Sequence, residues 1–176
     1  VEVTYRVPVA MVEVKVDEQR FVFPVDRSAV VMQTNDFDEA DLGEFLRLVS
    51  DYSKPKGNSG TPWGDPIITA GAAIANSLND IAWKAMGLYR IYSIAENDGS
   101  NRLYYVNLKN DENIRVLWGN PPGEEVSSEA SVAEKVTNLE AFFKENSTLS
   151  VSSETAEIDL RSKDGVVVVP LAEATE

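Results

Sequence analysis

Glu157-Ile-Asp-Leu-Arg-Ser-Lys-Asp-Gly165-Val-Val-Val-Val-Pro-Leu171, close to the end of the chain, reads as a β-hairpin. Ile158 and Leu160 alternate with Asp159 and Arg161, the period-two pattern of a strand with one buried face. Asp164-Gly165 marks a tight turn, because glycine takes positive φ without steric penalty. Val166, Val167, Val168 and Val169 follow without a polar interruption, so their strand has two apolar faces. The domain's own core can cover one of them. Pro170 cannot donate to a ladder, which ends the strand or puts it on an edge. The stretch therefore points to a pairing surface, Gly165 to Leu171, rather than to chemistry.

Other strands are expected upstream. Val1, Val3, Tyr5 and Val7 alternate with Glu2, Thr4 and Arg6, and Val12, Val14 and Val16 alternate with Glu13, Lys15 and Asp17. Pro8 between them predicts a bend or bulge. Short strands are expected at 21–23 and 30–32, and a meander at 88–94, 102–108 and 114–118, with polar turns between its strands. Three helices are expected. Asp38 caps the first, with Leu42, Phe45, Leu46 and Val49 on one face and an end near Asp51. Thr69 caps the second, whose alanines would let it approach the sheet closely, with Gly87 past its end. The third runs from about Ser128 to Asn146, and Ser131 with Glu134 resembles a capping box. Strands in clusters with few helices indicate an α+β fold: a single domain over 1–176 with a mainly antiparallel, curved sheet packed by about three helices.

The bulk composition narrows the function. The chain has 176 residues, no cysteine, no histidine and a net charge of −13. A charge of that sign argues against nucleic acid and against anionic lipid as partners. Without cysteine or histidine, a thiol nucleophile, a Ser-His-Asp triad and the usual zinc ligands are impossible. Neither a membrane span nor a signal peptide is present in the sequence. Residue 1 is Val, and the chain opens directly in a strand pattern, as a piece of a longer protein would.

The remaining motifs do not assemble a catalytic site. Ser53-Lys-Pro-Lys56 matches a serine–lysine nucleophile pattern, which needs both groups on one helical face; Pro55 and Gly57 make this a loop. Asp36, Asp38 and Asp41 lack the calcium-loop order, since Ala40 takes a ligand position, so they read as capping groups. No metal site and no cofactor are expected. The long 52–66 loop holds Thr61-Pro-Trp-Gly-Asp-Pro66, where Trp63 either pins the loop to the domain or, with Asp65, forms a secondary interaction site. Two other classes of function stay open: a carboxylate-dependent hydrolase of cell-wall glycan, and a glycan- or peptide-binding module using Trp63 and nearby tyrosines.

Several stretches taken together resemble the extracytoplasmic β domain of the FtsQ/DivIB cell-division family. Tyr5-Arg-Val-Pro-Val-Ala10 is similar to that family's E-R-x-P-V-A motif, and Val25-Asp-Arg-Ser-Ala-Val30 to its V-D-x-x-G-V turn, with Ala29 in the glycine's place. Leu117-Trp-Gly119, the helix with Lys135, and Ile158-Asp-Leu-Arg161 are similar to its late glycine, helix lysine and closing I-D-L-R strand. The 52–66 loop resembles an insertion, and residues 1–7 the end of a preceding POTRA domain. The resemblance implies a non-enzymatic scaffold in the bacterial envelope, the periplasmic part of a single-pass inner-membrane protein. Its partners would be small bitopic coiled-coil proteins of the FtsB and FtsL kind, and the partner's strand would add to the edge that follows I-D-L-R. Carried onto this sequence, the partner-binding residues are Arg161, Ser162, Gly165, Val166, Val167, Val168, Val169 and Leu171.

Overall fold

The structure, a computed structural model, describes residues 5–50, 53–96, 101–111, 113–150 and 156–170, and leaves out the side chains at 39 and 50. The chain divides into two compact units, Val1–Asn76 and Ser77–Glu176.

In the first unit, β1 (Pro8–Val16) and β2 (Gln19–Asp26) form an antiparallel hairpin closed by Asp17 and Glu18, both at positive φ. The register shifts between Pro8 and Ala10, the irregularity expected at the proline. The strand begins at Pro8; positions 1–4 of the expected strand lie outside the described residues, and 5–7 are not strand. The expected strand at 30–32 is reduced to isolated bridges, Val25 to Val31 and Val30 to Pro62.

The first expected helix is largely overturned. Only α1 (Glu39–Leu42) is helical, with Asp38 and Asp41 forming its capping box, and the chain then becomes β3 (Leu46–Ser50). Leu42, Phe45, Leu46 and Val49 fit a helical stripe, but Leu46 and Leu48 also fit period two. Burial decides for the strand: Leu46 lies opposite Ala10 and Leu48 opposite Val12 in a parallel pairing with β1, and all four are buried. A parallel neighbour requires a long connection, which residues 17–45 supply with β2 inside it. The strand order within this unit is β2-β1-β3.

The second expected helix, α2 (Pro66–Leu78), starts at Pro66 rather than after Thr69 and ends at Leu78, well short of Gly87, with turns over 79–87. Pro66 needs no N–H in the first turn. Asp65 before it accepts from the Ile67 N–H at 2.8 Å, while Thr69 donates back to the Asp65 carbonyl. Ile68, Ala72 and Ala75 are buried, and a side chain at Gly71 would sit 3.2 Å from Leu48, so small residues do set the helix close to β3.

In the second unit, β4 (Leu88–Ala95), β5 (Arg102–Leu108) and β6 (Ile114–Gly119) form the expected meander. Then α3 (Val132–Asn146) crosses to β7 (Ala156–Asp159), which lies parallel to β6, and β8 (Val167–Pro170) returns antiparallel to β7. The strand order is β4-β5-β6-β7-β8. The fold class is α+β with a mixed sheet. The expectation of a mainly antiparallel sheet is corrected by the β1–β3 and β6–β7 pairings, because alternation of apolar residues carries no information about strand direction. Ile91, Val106, Val116, Trp118, Ile158 and Leu139 of α3 supply the buried core of this unit.

Candidate functional site

The β7–β8 hairpin is where a partner site is expected from the sequence. Ala156, Ile158 and Leu160 are fully buried, as the alternation predicts. The turn is wider than a two-residue one, since 160–166 lie outside both strands, and Gly165 takes φ +116°, a conformation that strains any side chain. Val169 lies opposite Glu157, Val168 opposite Ile158 and Val167 opposite Asp159. Opposed residues share a face, so Val168 continues the row of Ile158 and Val116, whereas Val167 and Val169 lie on the other face with Asp159 and Glu157. Val167, Val168 and Val169 are nonetheless 46%, 38% and 41% exposed. β8 ends the strand order, and among the described residues no strand pairs with its outer side. Leu171 and the residues after it, Glu173 and Glu176 among them, lie outside the described residues.

The hairpin stands on a polar clamp. The guanidinium of Arg161 binds the Asp159 carboxylate at 2.7–3.2 Å, and the Arg161 carbonyl accepts from the Ala130 N–H at 2.7 Å. Lys163 Nζ donates to the Ser127 carbonyl at 2.7 Å, and Ser162 Oγ accepts from the Asp164 N–H. The 120–131 segment is thus tied to the hairpin and is itself held from below. Buried Lys135 donates to Glu129 Oε1 at 2.7 Å and to the Asn120 carbonyl at 3.2 Å, with its ammonium 5.1 Å from the Trp118 ring centre. Glu129 also accepts from the Asn120 N–H and side-chain amide. Burial pushes the Glu129 carboxyl upward, but its hydrogen bonds to Lys135 and Asn120 outweigh this and hold it below its ordinary value. Gly119, at φ +92°, fits because a side chain there would strike Glu129 and come within 2.7 Å of Arg161.

On the face of Val167 and Val169, a second polar row runs across the sheet. Tyr92 stacks on Tyr105 with ring centres 5.4 Å apart, Arg115 lies 4.7 Å over Tyr105, and Arg115 binds Glu157 at 2.8 Å. Burial raises both tyrosine hydroxyls above their ordinary range.

The sequence reading missed Glu129 as the partner of Lys135. A signal existed for the lysine: it sits three residues after Val132 and four before Leu139, inside the apolar stripe of α3. Nothing in Ser127-Ser-Glu-Ala130 marks the carboxylate.

Trp63 is fully buried, with its Nε1 donating to Ser53 Oγ at 2.8 Å and its ring edge-on to Phe23, so it pins the loop and offers no surface to a ligand. Asp65 is engaged at the start of α2. Ser53 therefore has a structural partner in the indole. A cleft of 230 Å³ bordered by Met86, Leu108 and Phe143 carries, among the described residues, one carboxylate, Asp111. Among the described residues no acidic cluster could hold a metal ion.

Within each unit, the motifs that carry the family resemblance lie side by side. Arg6 pairs with Asp26, whose carboxylate also accepts from the Ser28 and Val30 N–H groups at 2.9 Å, and Ala29 takes the left-handed conformation, φ 55°, that glycine would adopt freely. Gly119, Lys135 and Arg161 all border Glu129 or its clamp. Compared with known proteins, the chain matches no family model, no curated protein and no solved structure.

Proposed function

We propose that this chain is a non-enzymatic adaptor domain that takes a strand of another protein onto the free side of β8. The observation that carries this is the edge itself: an apolar strand, exposed at three successive valines, at the end of the strand order. Such edges are aggregation hazards unless shortened, charged or occupied, and Val167–Val169 carry no charged gatekeeper. Main-chain hydrogen bonds to an added strand would supply affinity, and the alternating side-chain positions would supply selectivity. The Arg161–Asp159 and Glu129–Lys135 pairs hold the edge in place before a partner arrives, which lowers the ordering cost of binding.

The setting follows the FtsQ/DivIB resemblance: a division scaffold in the bacterial envelope, outside the cytoplasmic membrane, joined to FtsB- and FtsL-like bitopic proteins. What supports this setting is that motifs separate in the sequence lie together within each unit: Arg6 pairs with Asp26 in the first, and Gly119 lies against the Arg161 side chain in the second. The test is titration calorimetry of the purified chain against the extracytoplasmic segment of such a partner from the same cell. Val168→Lys is expected to weaken binding at least tenfold while the melting curve holds. Unchanged affinity for this variant rejects β8 as the site.

A further inference from the structure

The hydrogen-bond directions in the hairpin determine what the free edge can offer. In a strand, the N–H and C=O of one residue point to the same side and those of the next to the opposite side. The Ala156 N–H donates to the Asn113 carbonyl and the Leu160 N–H to the Leu117 carbonyl, both towards β6. Ala156, Ile158 and Leu160 thus face β6, and Glu157 and Asp159 face β8. Their opposites, Val169 and Val167, are the hydrogen-bonded pairs of the hairpin. Val168 and Pro170 lie opposite Ile158 and Ala156 in non-bonded pairs, and their main-chain groups point outward. Pro170 therefore leaves the β7 ladder intact, and the donor it lacks is one that would have faced a partner.

Resting on the reading of β8 as a strand-accepting edge, we infer that this edge donates from Val168, that Pro170 only accepts, and that its occupant is an extended segment with an apolar centre and basic flanks. The apolar centre follows from the exposed valines on both faces, Val168 on one and Val167 and Val169 on the other. The flanks follow from charge. A chain at −13 attracts a basic segment and repels its own copy. A second copy is further disfavoured by size. Self-pairing along a strand of four residues falls far short of the roughly 1,200 Å² that specific interfaces bury, whereas a different chain can continue past the strand.

The test has two arms, both on the whole chain. Amide hydrogen exchange of the free protein is expected to be fast at Val168 and slow at Val167 and Val169; protection of Val168 equal to that of Val167 overturns the assigned directions. A randomised peptide library displayed on phage is then selected on the wild-type chain. The expected winners have an apolar centre between lysines or arginines, protect the Val168 amide, and lose at least tenfold in affinity on Val168→Pro, a variant whose melting curve stays near wild type. Acidic flanks among the winners, or no enrichment, overturn the occupant. Unfolding of Val168→Pro overturns the directions. Peptides that survive Val168→Pro but not Val169→Lys leave β8 as the site and remove the hydrogen-bond scheme. Peptides indifferent to every β8 variant remove the scheme and the adaptor reading together.

Discussion

Lys135 is the residue on which the clamp beneath the hairpin turns. Its ammonium is fully buried, and it neutralises Glu129, itself nearly inaccessible. Removing one member of such a pair leaves a buried charge alone. Lys135→Met is therefore expected to destabilise the fold by about 3–5 kcal/mol, and the double variant Lys135→Met/Glu129→Gln to recover much of that loss, both read from urea titrations. The pair also sets an acid limit. The folded carboxyl of Glu129 lies below its ordinary value of 4.5, so the stabilisation is complete above that pH and fades as the pH falls through the lower folded value. Asp26 behaves alike from 3.8: burial opposes its ionisation, and the Val30 N–H, Arg6 and the Ser28 N–H overcome that opposition. Melting temperatures should fall steeply below about pH 4.5, and less steeply in Glu129→Gln. An equal slope in the variant would assign the acid sensitivity to other carboxylates.

At the scale of the element, α3 is the part whose local chemistry is simplest to test. Its capping box joins the Ser131 hydroxyl to the Glu134 N–H and the Glu134 carboxylate to the Ser131 N–H. Ser131→Ala is expected to lower stability by about 1 kcal/mol, measured by denaturant unfolding, and Ser131→Asp to preserve it. This cap, the meander and the closing hairpin were legible in the sequence because each is a local signal: a side chain three residues from its backbone partner, alternation over a few residues, a glycine in a turn. The 45–49 stretch was not. Its apolar residues satisfy helical and strand spacing alike, and only the neighbouring β1, more than thirty positions earlier, settles it. The same limit hid the parallel pairings and the Glu129–Lys135 contact. At the proposed site, the apolar strand and its proline were readable, but the direction in which each valine presents its N–H depends on which side β6 lies.

For the molecule as a whole, the charge of −13 acts against compactness, since like charges are brought together on folding. Moderate salt screens exposed charges beyond about 8–10 Å, so the melting temperature should rise between low and near-physiological ionic strength; a fall would show that the ion pairs, among them Arg20 with Glu13 and Lys15 with Glu18, outweigh the repulsion. The parallel pairing of β6 with β7 has a consequence of a different kind, in time. Arg115 and Glu157, neighbours across that pairing, are 42 positions apart, whereas β4, β5 and β6 are joined in succession. Local pairings close quickly and distant ones pay loop-closure entropy first. During synthesis the meander can form while β7 is still to come, leaving the apolar edge of β6, Ile114 to Trp118, open until α3 brings the chain back. For a nascent chain, the dangerous edge is thus β6, and β8 becomes the exposed one only after folding has finished.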